Sequence, residues 1–356
     1  MKAAVIERPG QLVVRDVPEP QPDAYQALVR IDACCICNST DRKLVEGKFP
    51  GMTAASYPAV LGHESVGTVV EVGEKVRRYK VGDRVFRPRV MYDPPVMNVC
   101  WGGFAEYGTA SDTEAFAADN GRPHPDWSAT AQQIVPPEID PGEATILITL
   151  KETLSWLRKF EVGPETSVLI FGTGPVGLAF SELAKMIGSP FVAVVGRRDE
   201  AVERAREFGA DAVVNSSTED VASRVRELTG GRGFDRAIDA IGLMSMIDHA
   251  PEVLARGGRC GLYGVEDAED GKPGGRISIP AGGEWSLCQI YPAEHLAHDE
   301  IISLVRSGKL HPSRYITHRL PLDEINRGFE LIREKRAVKV VIEIGAEGRG
   351  QRAESR

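Results

Sequence analysis

A chain of 356 residues is longer than one ordinary core supports, so two domains are expected. Its formal net charge of −8 argues against nucleic acid or an anionic membrane as the main partner, since both need a basic face. Six unevenly placed cysteines (Cys34, Cys35 and Cys37 together, Cys100, Cys260 and Cys288 alone) do not make a disulfide framework and read as reduced thiols of a cytoplasmic protein. Met1-Lys2-Ala3-Ala4-Val5 enters a strand pattern at once, with neither a leader pattern nor an apolar run of membrane-spanning length.

Up to about residue 110, short strands are broken by Gly and Pro: Ala27–Ile31, Ser65–Gly73 and Asp83–Phe86. From about residue 142 the texture changes. A helix over Glu143–Phe160 leads to the apolar strand Ser167–Phe171, then helix Val176–Ile187 and strand Phe191–Val195. Helix Glu200–Phe208, strand Ala212–Val214, helix Asp220–Leu228, strand Phe234–Ile238, helix Met246–Leu254 and strand Gly258–Tyr263 continue the alternation. Repeated strand and helix of this kind predict a doubly wound parallel sheet. A helix over Glu300–Ser307 and a strand over Val338–Ile344 return to the first domain, and the tail 345–356 is expected to be disordered.

Gly172-Thr173-Gly174-Pro175-Val176-Gly177 follows a predicted strand and opens a helix. In that setting the glycines permit a tight turn, close approach to a pyrophosphate and close helix–strand packing, and the helix N-terminus favours the anion. At the end of the next strand, where an NAD site places Asp or Glu, stands Gly196-Arg197-Arg198. The glycine leaves room for a 2′-phosphate and two guanidiniums can pair with it, so the pattern favours NADP over NAD.

Gly62-His63-Glu64 precedes a Gly-punctuated strand, and Cys37 lies 26 residues before His63. Taken singly, Cys37 reads as a buried thiol and His63 as a satisfied core histidine. Together they are ligand types that zinc prefers.

With the dinucleotide motif, these residues resemble a medium-chain dehydrogenase/reductase of the zinc-dependent alcohol dehydrogenase type, near its sorbitol, threonine and glucose dehydrogenase branches. The resemblance spans nearly the whole chain and is carried by Gly62-His63-Glu64 with Gly67 and Gly73, Val81-Gly82-Asp83-Arg84-Val85, Gly102-Gly103-Phe104-Ala105-Glu106-Tyr107 and Gly257-Gly258-Arg259. It implies a β-rich GroES-like catalytic domain over 1–155 and 291–344, and a Rossmann NAD(P)-binding domain over 156–290. It also implies Cys37 and His63 as ligands of a catalytic zinc, Glu64 as a ligand or a carboxylate close behind, and a proton-relay hydroxyl at Ser39 or Thr40. A homodimer or homotetramer is implied too, with Ile277-Ser278-Ile279-Pro280 as a candidate pairing segment.

Three features depart from the family pattern. Between Phe86 and Gly102 there is one cysteine, Cys100, where a structural zinc needs four, so one catalytic zinc and no structural zinc is expected. The position that usually supplies a third ligand falls on Ile148, which leaves Glu64, Glu152 one helical turn on, or no third protein ligand. The run Cys37-Asn38-Ser39-Thr40-Asp41 is one residue longer than usual, so Ser39 and Thr40 compete for the relay while Asp41 braces the loop.

The expected reaction interconverts a secondary alcohol, polyol-like or sugar-like, with its carbonyl by hydride exchange with nicotinamide. Tyr92, Trp101, Phe104 and Glu152 are expected near the substrate. Two other readings stand beside it: a zinc-free NADPH-dependent reductase of an activated double bond or imine, and a non-catalytic NADP-binding protein.

Overall fold

The computed structural model describes residues 1–93, 95–242, 250–265, 268–269, 272–273 and 285–345. The chain forms two units. The first comprises Met1–Lys48, Met52–Ile148 and the chain from His298 onward, and the second Phe49–Gly51 and Thr149–Ala297.

In chain order, β1 (Lys2–Arg8), β2 (Gln11–Asp16) and β3 (Gln26–Cys35) precede α1 (Thr40–Glu46). Then come β4 (Ala59–Val60), β5 (Glu64–Val72), β6 (Arg84–Phe86), β7 (Asn98–Val99), β8 (Tyr107–Ser111), α2 (Thr113–Asn120) and β9 (Ile134–Val135). Helix α3 (Pro141–Lys159) contains the division between the units. The second unit holds β10 (Val168–Phe171), α4 (Pro175–Met186), β11 (Val192–Gly196), α5 (Asp199–Glu207), β12 (Ala212–Asn215) and α6 (Val221–Thr229). It continues with β13 (Phe234–Asp239), β14 (Leu254–Leu262), the antiparallel pair β15 (Ala268–Glu269) and β16 (Lys272–Pro273), and β17 (Ser286–Gln289). Helix His298–Arg306, β18 (Ile316–Pro321), helix Ile325–Arg333 and β19 (Lys339–Glu343) complete the first unit.

The first unit is built round β3, whose apolar residues alternate with exposed ones over Val29–Ile31. β3 pairs antiparallel with β5, β8 and β19 in a sheet that runs β18-β19-β3-β5-β6-β9, with β8 attached to β3. A second sheet runs β2-β1-β4-β7. Ala3, Val5, Val17, Val60, Val90 and Ala105 form one buried cluster of this unit, and burying each valine stabilises it by roughly 1.5–3 kcal/mol.

The second unit is a parallel sheet in the order β12-β11-β10-β13-β14-β17. Strand order therefore reverses between β10 and β13, where an open sheet of this type binds its ligand at the carboxyl ends of the strands. Every residue of β10 and β11 is buried, which is why both read as unbroken apolar runs.

The predicted helices and strands of this unit recur within one or two residues up to β13. The strand expected from Gly258 begins instead at Leu254, because Leu254 pairs with Phe234 and joins the buried cluster beside it. The expected helix Met246–Leu254 lies partly outside the described residues. The segment Ile277–Pro280 and the tail beyond Gly345 lie wholly outside them.

Candidate metal centre and dinucleotide loop

Strand register assembles the metal centre. Cys35 at the end of β3 pairs with Glu64 at the start of β5 on one side and with Val341 of β19 on the other. Cys37 therefore leaves the sheet where His63 enters it, and Lys339 arrives from the opposite edge. Gly62 takes φ 111°, and a Cβ there would meet the Phe104 amide nitrogen at 2.5 Å, so glycine is needed before His63.

One ligand atom each from Cys37, His63 and Glu64 lies within 4.8 Å of the others. Asp41, fully buried on α1, organises two of the three. Its Oδ1 is 3.0 Å from His63 Nδ1, and its Oδ2 accepts from the Cys37 amide at 2.9 Å. A carboxylate on Nδ1 selects the tautomer that offers Nε2 as the lone-pair donor, the usual arrangement behind a metal-binding imidazole. Burial pushes the His63 imidazole down, but Asp41 and Cys37 push it up further, and its pKa lies well above the usual value. The same negative field that holds a proton there would hold a cation.

Glu64 is buried and accepts a short hydrogen bond from Lys339 Nζ, which is also buried. Burial alone would raise the carboxyl, yet Lys339, then His63 and Arg87, hold it below its usual range. Arg87 also donates to the His63 carbonyl at 2.8 Å. The Trp101 ring stands 5.2 Å from the imidazole, centroid to centroid. Cys34 and Cys35, by contrast, are buried thiols pushed up by desolvation, so of the clustered cysteines Cys37 is the one presented to the site. A thiol, an oriented imidazole and a carboxylate are a donor set that fits zinc.

The other anticipated residues separate. Ser39 is the N-cap of α1 and makes no side-chain cap bond, and Thr40 is the first residue of that helix. Ile148 is buried in α3. Glu152 belongs to the second unit, where its Oε2 accepts from Tyr263 Oη at 3.1 Å. Tyr92 donates to the Pro18 carbonyl at 2.9 Å. Phe104 was expected near the substrate, but it is fully buried beneath Gly62 and belongs to the core. Sequence reading missed Lys339; a lysine opening the apolar strand Lys339-Val340-Val341-Ile342 was the available signal.

In the second unit, Gly172 has φ 120°, Gly174 caps α4 without a side-chain bond, and Pro175 starts the helix. A Cβ on Gly177 would lie 1.9 Å from the Gly172 carbonyl oxygen, so glycine alone permits this turn. Nothing lies within 4 Å of the Cβ position of Gly174, which leaves open space beside Thr173 and Val176 at the helix start. This is a cradle that fits a pyrophosphate. Gly196 is buried at the end of β11, while Arg197 and Arg198 are exposed ahead of α5.

Residues 23–120 match the alcohol dehydrogenase GroES-like domain family, and residues 175–281 the zinc-binding dehydrogenase family. An alcohol dehydrogenase of Cupriavidus necator is 26% identical, covering 94% of this chain and 96% of its own. An L-threonine 3-dehydrogenase of Pyrococcus abyssi is 29% identical (93% and 94%), and D-arabinitol dehydrogenase 1 of Uromyces fabae is 25% identical (96% and 97%). Among solved structures, an alcohol dehydrogenase from Thermus sp. ATN1 superposes with a TM-score of 0.80 at 29% identity, covering 97% of this chain and 100% of that one. A zinc-binding dehydrogenase from Sinorhizobium meliloti 1021, described as putative and bound to NADP, gives 0.76 at 25% identity, covering 96% and 98%. The chain belongs to the medium-chain dehydrogenase/reductase family of NAD(P)-dependent oxidoreductases, in its zinc-dependent alcohol dehydrogenase type.

Proposed function

We propose that this enzyme interconverts a secondary alcohol of the polyol or sugar kind with its carbonyl, using one catalytic zinc and NADP in preference to NAD. The observation that carries this reading is the convergence of Cys37, His63 and Glu64 within 4.8 Å, with the imidazole held by Asp41. Zinc would be held by Cys37, His63 through Nε2, and Glu64; when bound it supplies Lewis acidity toward the substrate oxygen. Glu64 is preferred to Glu152 as the third donor because it already belongs to this cluster. The lone Cys100 between Phe86 and Gly102 supports the absence of a structural zinc.

The chain's own residues have separate tasks. Asp41 keeps the His63 ring in one orientation and one tautomer. Lys339 offsets the charge of Glu64, so the donor set carries less net negative charge than three isolated ligands would. Ser39 or Thr40, two and three residues beyond Cys37, moves the alcohol proton outward. Neither side chain has a hydrogen-bond partner among the described residues, which leaves both hydroxyls available.

The nicotinamide dinucleotide supplies the hydride acceptor. Gly172, Thr173, Gly174, Pro175, Val176 and Gly177 would hold its pyrophosphate, and Gly196, Arg197 and Arg198 its 2′-phosphate. The NADP-bound neighbour supports that choice, and the arabinitol dehydrogenase relative supports a polyol substrate. A homodimer or homotetramer is the proposed assembly. Among the described residues no helix is long and apolar enough to cross a membrane.

The test follows reduced-nicotinamide absorbance across a panel of polyols, sugars and simple secondary alcohols, with NAD and NADP in parallel and zinc quantified in the same preparation. About one zinc per chain, with turnover lost on chelation and regained on zinc addition, is expected. Full turnover at negligible zinc would overturn the mechanism and favour the zinc-free reductase.

A further inference from the structure

The turn that carries Arg197 and Arg198 is held by the segment after the neighbouring strand. Asn215 ends β12 in register with Gly196. Ser216 donates to the Gly196 carbonyl twice, from its amide at 2.8 Å and from Oγ at 3.0 Å. Ser217 Oγ donates to the Arg197 carbonyl at 2.8 Å.

Asn215 ties the remaining ends together. Its Nδ2 donates to Asp199 Oδ1 at 2.5 Å, its Oδ1 accepts from the Ser217 amide at 2.9 Å, and its own amide donates to Glu219 Oε2 at 2.7 Å. The carboxylate next in sequence to the arginines is therefore already engaged. Neither Arg197 nor Arg198 has a side-chain hydrogen bond or ion pair among the described residues. Gly196 also touches the phosphate loop, since a Cβ there would meet Thr173 Cγ2 at 2.5 Å.

We propose that Asn215, Ser216 and Ser217 form a clamp that positions Arg197 and Arg198 to take the 2′-phosphate of an adenine dinucleotide. This rests on the NADP reading above. Two exposed arginines on a loose turn would lose backbone as well as side-chain freedom when they bind a phosphate. With both preceding carbonyls pinned, the backbone part of that cost is met in the free protein. Binding Asp199 to Asn215 also fixes the nearby negative charge on the side of β12. Ser216 and Ser217 are exposed, so these hydroxyls can be removed with little effect on the fold.

Calorimetry on the full chain tests the clamp with four ligands: NADP+, NAD+, 2′,5′-ADP and 5′-ADP. The Ser216→Ala/Ser217→Ala variant should weaken NADP+ and 2′,5′-ADP about fivefold or more, as expected for two lost hydrogen bonds at a site of charged recognition. NAD+ and 5′-ADP should stay within about twofold on the same grounds, and Ser217→Thr should retain wild-type binding because it keeps the hydroxyl. Equal weakening of all four ligands, or no weakening of NADP+, overturns the clamp. Wild-type protein that binds 5′-ADP as tightly as 2′,5′-ADP overturns the NADP reading itself, and the clamp with it. A wild type that discriminates, beside a double variant that discriminates equally, sinks the clamp alone.

Discussion

Asp41 and His63 are joined by a 3.0 Å contact between Oδ1 and Nδ1, and the second oxygen of the same carboxylate takes the Cys37 amide at 2.9 Å. One buried side chain thus orients a histidine and the loop of a cysteine that lie 26 residues apart in sequence. Asp41→Asn keeps the shape and removes the charge. Zinc affinity should fall roughly 10- to 100-fold, as it does when a carboxylate behind a ligand histidine is lost. Competition with a chromophoric chelator measures it, and unchanged affinity would count against Asp41 as an orienting group.

Lys339 and Glu64 form a buried ion pair between β19 and β5. Lys339→Met removes the principal counter-charge and should destabilise the metal-free protein by roughly 3 kcal/mol or more. Adding Glu64→Gln should recover most of that loss, since the remaining polar group is neutral. Denaturant midpoints of the two single variants and the double variant check this. Additive losses would show that the pair is not coupled.

Gly177→Ala puts a methyl group where only 1.9 Å separates the Cβ position from the Gly172 carbonyl oxygen. Helix α4 must then move off the loop. Affinities for NAD+ and NADP+ should fall together by at least about tenfold, the size of a lost pyrophosphate contact of roughly 1.4 kcal/mol. Calorimetry with both cofactors separates this from a change at Arg197, which should affect NADP+ alone.

Asp235 reaches back to the start of β10. Partial burial would raise its pKa, but Arg232 and the Ser167 hydroxyl and amide lower it from 3.8 to about 2. A depressed carboxylate contributes stability above its unfolded pKa and loses it as pH falls through the folded one. The contribution is therefore present at pH 7 and disappears between about pH 4 and pH 2. Solvent screening reduces it to about 1 kcal/mol. Asp235→Asn should lower stability by that amount at pH 7 and match the wild type near pH 2. A gap that persists at low pH would assign the effect to packing.

The parallel sheet was legible because both faces of β10 and β11 are covered, and burial on both faces writes an unbroken apolar run into the sequence. The phosphate loop was legible because its turn tolerates no side chain at Gly177. Cys37, His63 and Glu64 were legible as residue types that are poor core chemistry unless they bind something. Their assembly was not, because register is a property of strands far apart in the chain. Only the pairing of Cys35 with Glu64 and with Val341 brings Lys339, some 275 residues away, against Glu64. Asp41 could be read as a loop brace, but its second bond, to His63, depends on where α1 packs. Residue chemistry and local period were thus decided by sequence alone. Which buried charge meets which ligand was decided by tertiary pairing, because an ion pair or an oriented imidazole exists only at the distance the sheets set.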